Sequence, residues 1–220
     1  MEKQEAKIWE DRDEITLRGN PRKPQGEEGR RMLQRMNESH CAVTQWALGF
    51  FDFMEGDLIL DIGCGGGATL ARMSKRIQTG HLTGVDYSGV SVELSRNMNT
   101  VDIQRGKMDV LEASVEKLPF ADKTFDKIIT VESFYFWPNP VENLKEVHRV
   151  LKSGGTFLLV ADIYQKDGLE AEALDNVRKY EMLNPTIDEF RGMFEQAGFS
   201  EIRLHTKPGT DWICAEGVGS

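Results

Sequence analysis

The stretch from Leu58 to Ala68, Leu-Ile-Leu-Asp-Ile-Gly-Cys-Gly-Gly-Gly-Ala, constrains this chain more than any other. Leu58, Ile59, Leu60 and Ile62 surround one acid, Asp61, which is the pattern of a parallel strand buried on both faces. Glycines follow at once, and Leu70, Met73 and Ile77 then fall at helical spacing. The unit is strand, glycine turn, helix. Glycines let the backbone bend tightly and let a ligand approach the main chain, and N–H groups opening the next helix face that ligand. The stretch therefore reads as a cofactor seat.

The rest of the chain repeats the alternation. A second strand, Gly80 to Asp86, ends in an acid, and Ser88 is placed to cap the helix that runs to about Asn99. A third strand covers Lys107 to Glu112 and a fourth Phe125 to Val131. Pro140 opens a helix with Leu144, Val147, His148 and Leu151 on one face, stopped at Lys152-Ser-Gly-Gly155 before a fifth strand, Thr156 to Ala161. Lys166 to Tyr180 reads as charged and helical, and Thr186 to Ala197 as a helix closed by Gly198. Ser200 to Thr206 and Asp211 to Ala215 read as two strands about a turn at Lys207 to Thr210.

The expected fold is α/β and Rossmann-like: a mainly parallel seven-stranded sheet with helices on both faces and an antiparallel C-terminal edge hairpin. Residues 1–55 are expected to form an N-terminal helical arm and cover, and 56–220 the cofactor-binding domain. Met1 to Asn20 is either a helical arm or partly disordered, Asn20 to Gly29 a Pro- and Gly-punctuated loop. Helical pattern starts at Arg30 and breaks near Asn37 to His40.

Composition narrows the function. A net charge of -9 argues against a nucleic-acid partner, and Arg30, Arg31 and Arg35 read as a solvated helix face. No apolar run approaches the roughly 20 residues of a membrane span, and no signal peptide is visible. Cys41, Cys64 and Cys214 are too scattered for a disulfide framework or a zinc site, so the expectation is a cytoplasmic protein without a metal, monomeric or homodimeric.

Gly63-Cys-Gly-Gly-Gly-Ala68 satisfies one form of the dinucleotide fingerprint, with Asp86 about twenty residues on, where an acid binds a ribose. NAD is therefore an alternative. Against it, Asp61 is badly placed for a pyrophosphate and well placed for an ammonium group, and no basic residue flanks the turn. Moreover, Leu60 to Gly67, Gly84-Val-Asp-Tyr-Ser88, Leu118-Pro-Phe120 with Phe125-Asp126, and Arg149 to Gly155 stand in the order of four motifs. In these the chain resembles the class I S-adenosylmethionine-dependent methyltransferases, specifically the small-molecule and quinone-type branch. The resemblance is close from Gly56 to Ala161 and loose beyond.

The resemblance implies S-adenosylmethionine as cofactor, with S-adenosylhomocysteine as product. Gly63, Cys64 and Gly65 would pack against its amino-acid part and ribose, Asp61 would meet its ammonium, and Asp86 would take both ribose hydroxyls. Tyr87 would cover a ring face. Ser114 stands where many members carry an aspartate that receives the adenine amino group, and Val115 N–H would serve a ring nitrogen.

Methyl transfer needs positioning above all, and a base only for a protonated acceptor. Candidate substrate-positioning or base residues are His40, Glu132, Tyr135, Asp162 and Tyr164; Glu132 could equally contact the cofactor. The N-terminal helices could also bring Asn37 to this edge. Acids beside Tyr135, Phe136 and Trp137 suit an amine or aromatic small molecule, with Trp137 expected to hold a cation; the alternative is that Phe134, Phe136 and Trp137 pack the core. A DNA amino-methylase motif and an RNA cytosine-methylase cysteine are both missing after the fourth strand. The remaining alternatives are a NAD-dependent oxidoreductase and a non-catalytic S-adenosylmethionine-binding protein.

Overall fold

The structure, a computed structural model, describes residues 14–220. Seven strands form one sheet in the order β3-β2-β1-β4-β5-β7-β6. They are β1 (Leu58–Ile62), β2 (His81–Asp86), β3 (Met108–Glu112), β4 (Phe125–Val131), β5 (Leu151–Ala161), β6 (Ser200–Thr206) and β7 (Ile213–Val218). β1 to β5 pair in parallel, while β7 runs antiparallel between β5 and β6, so the C-terminal hairpin closes one edge as the sequence predicts.

β1 and the C-terminal parts of β4 and β5 read as largely apolar runs because both sheet faces are covered there. In β5, Phe157, Leu159 and Ala161 face one core and Leu158 and Val160 the other. On the first face pack α6 (Pro140–Val150), through Leu144 and Val147, and α8 (Ile187–Ala197), through Phe190 and Phe194. The second face receives Val43 and Ala47 of α2 (Cys41–Ala47), Leu70 and Met73 of α3 (Ala68–Ser74) and Val92 of α4 (Gly89–Met98). Short α5 (Thr100–Gln104) follows α4, and α7 (Ala171–Lys179) follows β5. Local chemistry sets the ends: Ser88 caps α4 by accepting from Ser91 N, and Thr186 and Glu189 form a reciprocal capping box on α8. At the foot of β1, the buried Asp57 carboxylate pairs with Lys127 of β4 at 2.7 Å.

The N-terminal segment supplies α1 (Gly26–Ser39), which ends at His40 where α2 begins, the break that the sequence indicated. Residues 14–19 are helical; the rest of the expected arm, Met1 to Asp13, lies outside the described residues. Three boundaries differ from the sequence reading. Helix α1 starts at Gly26 rather than Arg30, because Gly29 is a close-packing residue and not a breaker: a Cβ there would stand 3.1 Å from the Pro24 carbonyl carbon. Helix α6 runs straight into β5 at Leu151, so Lys152 to Gly155 form an excursion within that strand's pairing rather than a helix stop. The last strand is Ile213–Val218, shifted from Asp211 to Ala215, because Glu216 is accommodated inside the sheet by His205 and Arg203.

Candidate active site

The glycine turn leaves β1 at its C-terminal end, where open α/β sheets bind ligands. Gly63 N and Cys64 N both donate to Val85 O, at 2.8 and 3.0 Å, which ties the turn to β2. Gly63 sits at φ +72°, and a Cβ would lie 2.4 Å from that of Ser133. No larger residue fits without displacing the start of the segment after β4. Gly67, at φ +84°, is crowded in the same way by Ser95 of α4. Asn37 of α1 donates to Gly66 O at 3.4 Å, so α1 rests on the turn itself.

Two buried acids face this turn. Asp61 is 1% exposed, and its Oδ2 is buried without a hydrogen-bond partner. Burial, helped by the nearby charge of Asp86, pushes its carboxyl up to about 8. Asp86 is pinned: Oδ2 accepts from Gly65 N at 3.0 Å and Oδ1 from Ser88 N at 2.9 Å. Burial raises its pKa as well, while those amide donors pull against the shift. Each Asp86 oxygen retains accepting capacity toward the cavity.

These residues line a cavity of about 370 Å³ together with Tyr87, Ser114, Val115 and, from the N-terminal segment, Pro21, Arg22, Pro24, Leu33 and Met36. Tyr87 is 38% exposed, its hydroxyl donates to Arg22 O, and the Lys23 ammonium stands 5.2 Å from its ring. The Ser114 hydroxyl closes its own turn, accepting from Glu116 N and contacting Glu116 Oε2, both at 3.2 Å. It lines the cavity but is already engaged locally. Cys64 contributes its backbone; its thiol is buried toward Ser95, and burial pushes its pKa well up.

The donor set fits S-adenosylmethionine. An orphaned buried carboxylate oxygen calls for a cationic donor, which an ammonium supplies, whereas a pyrophosphate would add charge beside two acids. Pinned Asp86, one turn away, is suited to a diol.

A second cavity, about 340 Å³, adjoins the first; Pro21, Met36, His40, Glu132 and Phe136 line both. Where the cavities meet, His40 and Glu132 of the shared wall and Asp162 of the second cavity bring ligand atoms within 4.8 Å of one another. Tyr135 holds the carboxylates. Its Oη lies 3.1 Å from Glu132 Oε2 and 2.9 Å from Asp162 Oδ1, and accepts the Asp162 amide at 2.9 Å. Glu132 takes a left-handed backbone, φ +57°, anchored by its amide to Val160 O, and its Oε1 is buried without a partner. Burial and then the Asp162 charge raise the Glu132 pKa far above the usual carboxylate range. Burial lowers that of His40, opposed by Asp162 and reinforced by Arg35 and Arg72.

Thus four of the five candidate positioning residues, His40, Glu132, Tyr135 and Asp162, converge. Tyr164 does not: it packs into the core beside β5 and lines neither cavity. Trp137 takes the core-packing alternative. It is 8% exposed, stacks edge-on to Phe134 at 5.3 Å, and touches only the cofactor-side cavity. Phe134 is wholly core, while Phe136 lines both spaces. The sequence reading missed Ala173, Val177 and Tyr180 on α7 and just after it, which wall the second cavity. Their spacing of four and three was the available signal. It also missed Ser133, whose hydroxyl meets Thr130 Oγ1 at 2.5 Å and donates to Ile62 O at 3.2 Å.

Residues 60–159 of the chain match the family model described as a methyltransferase domain. Among relatives, the chain is 29% identical over 154 residues to 2-methyl-6-phytyl-1,4-hydroquinone methyltransferase 2, chloroplastic, of rice (Oryza sativa subsp. japonica), covering 70% of this chain and 42% of that protein. It is 28% identical over 172 residues to the uncharacterised methyltransferase YdaC of Bacillus subtilis, covering 78% and 87%. The chain thus spans under half the length of the plant relative and most of the bacterial one. In fold it superposes on Haemonchus contortus phosphoethanolamine N-methyltransferase 2 in complex with S-adenosyl-L-methionine, with TM-score 0.74, 12% identity, and coverage of 86% of this chain and 57% of that one. No helix among the described residues is long and apolar enough to cross a membrane.

Proposed function

We propose that this protein transfers a methyl group from S-adenosylmethionine to a small-molecule acceptor. The observation that carries the reading is Asp61: a carboxylate at the strand end, buried, with one oxygen unpartnered and facing the glycine turn. When bound, S-adenosylmethionine supplies a methyl group already activated by a sulfonium centre. The chain's own residues then have three tasks. Asp61 receives the ammonium, and Asp86, fixed by Gly65 and Ser88, receives the ribose hydroxyls. Val115 N–H and the Ser114 turn border the adenine end, with Tyr87 over one ring face. The segment through residue 55 serves as cover: α1 and the 20–25 loop close over the cavity and exclude water, which favours an in-line approach.

The acceptor reaches the methyl from the second cavity, past Glu132, His40 and Phe136. Three free cysteines, two of them buried, suit a reducing compartment such as the cytoplasm. The test is turnover: the protein is incubated with S-adenosylmethionine and a panel of small amines, phenols and thiols. Formation of S-adenosylhomocysteine together with a product heavier by one methylene supports the reading. Binding of S-adenosylhomocysteine with no turnover across the panel would instead favour a non-catalytic binding protein.

A further inference from the structure

The second cavity has a chemistry that the cofactor does not explain. Three carboxylates line it, Glu132, Asp162 and Asp211, and no Lys or Arg does among the described residues. Asp211 already has Lys166 at 2.6 Å. Glu132 and Asp162 both meet the Tyr135 hydroxyl, whose single proton can serve only one of them at a time. Glu132 Oε1 is left buried and unpartnered. No Lys or Arg of the wall balances these acids: its side-chain N–H donors, on Asn176 and His40, are neutral, since burial lowers the His40 pKa. Beyond the acids the wall turns apolar and aromatic, with Ile163, Val177, Met182 and Phe136, and it ends at the Tyr180 hydroxyl, also buried without a partner.

We propose, building on the methyl-transfer reading above, that this cavity is the acceptor site and that its acceptor is an amine. The ammonium head sits on Glu132 and Asp162 where the cavities meet, and an apolar or aromatic body runs along α7. An ammonium offers several charged N–H donors, enough for Glu132 Oε1 and the Asp162 carboxylate together. An alcohol offers one neutral donor, and a carboxylate is repelled. The volume, about 340 Å³, holds a small molecule rather than a bare ion. In the reaction the ammonium first passes one proton to the Asp162 carboxylate, freeing the nitrogen lone pair. The N–C bond then forms as the C–S bond breaks, and that bond's electron pair stays on sulfur. Methylated ammonium and neutral thioether are the products, so charge and protons balance.

The experiment is calorimetric titration of the protein, saturated with S-adenosylhomocysteine, with benzylamine, phenethylamine and octylamine, each against its alcohol, and with phenylacetate. The amines should bind about tenfold or more tightly than the matched alcohols, and phenylacetate should not bind. Asp162→Asn should cut amine affinity about tenfold while leaving that for S-adenosylhomocysteine unchanged, since Asp162 lines only the second cavity. Ala173→Trp, on the partly buried face of α7, should block amines by filling the cavity. Equal affinity for amines and alcohols overturns the inference. So does a Mn²⁺ ion that binds the wild type, is lost in Asp162→Asn and excludes the amines, because the three ligand groups would then form a metal centre. Failure to bind S-adenosylhomocysteine at all would strike the methyl-transfer reading instead.

Discussion

Asp61→Asn should make the ligand-free protein more stable and the cofactor site nearly useless. The folded-state carboxyl titrates near 8, against 3.8 for the free side chain. Between those values the folded state keeps a proton that the unfolded state releases. Stability therefore falls as pH rises from about 4 to about 8 and levels off above. At 1.36 kcal/mol per unit, the strain at pH 7 is about 4 kcal/mol. Asparagine cannot ionise, so the variant should gain about 2 to 4 kcal/mol at pH 7, the lower figure allowing for an imperfectly bonded amide. Other buried acids, Asp86 and Glu132, titrate in both proteins, so the difference between the two pH curves reports Asp61 together with its coupling to Asp86. Urea unfolding followed from about pH 5 to about pH 8 gives those curves. Affinity for S-adenosylhomocysteine should fall about a hundredfold, because the ammonium loses a buried charged partner. Parallel curves with unchanged affinity would refute the assignment of Asp61 as an ammonium receptor held under strain.

Three further outcomes follow from the packing. Gly67→Ala would force a left-handed backbone on alanine and set its Cβ 2.5 Å from Ser95 Oγ and 2.8 Å from Ser95 Cα, costing about 2 to 3 kcal/mol in a thermal or urea melt. Lys127→Met would strand the buried Asp57 carboxylate and cost about 3 kcal/mol, and a second change, Asp57→Asn, should recover part of it in a double-mutant cycle. Trp137→Ala should cost about 3 kcal/mol of stability while sparing amine affinity, since the ring packs on Phe134 and not in the second cavity; a selective loss of amine binding with normal stability would return Trp137 to the acceptor site.

The inner parallel strands were legible because burial on both faces leaves an apolar run, as in Phe157 to Ala161. β7 was not read in full, since Glu216 interrupts the run and its partners, Arg203 and His205, come from a neighbouring strand. Asp61 and Asp86 were legible for a local reason: Asp61 adjoins its glycines in sequence, and Asp86 ends the next strand. Glu132 and Asp162 were legible one by one but not as a cluster. Tyr135 and Asp162 meet because β4 and β5 are neighbours, with Val131 beside Val160. Whether Trp137 would pack the core or hold a cation, and where Tyr164 would lie, was not legible because each follows a strand through irregular backbone. There, one 3-10 turn (Phe134–Phe136) or a short loop decides where a side chain points, and no periodicity reports it.

The central claim is that the turn from Gly63 to Gly66, between Asp61 and Asp86, seats S-adenosylmethionine rather than a dinucleotide. Calorimetry on the wild-type chain with S-adenosylhomocysteine, then with NAD, tests it most directly. The account predicts one S-adenosylhomocysteine site per chain and no heat from NAD. NAD binding that S-adenosylhomocysteine cannot displace would contradict it.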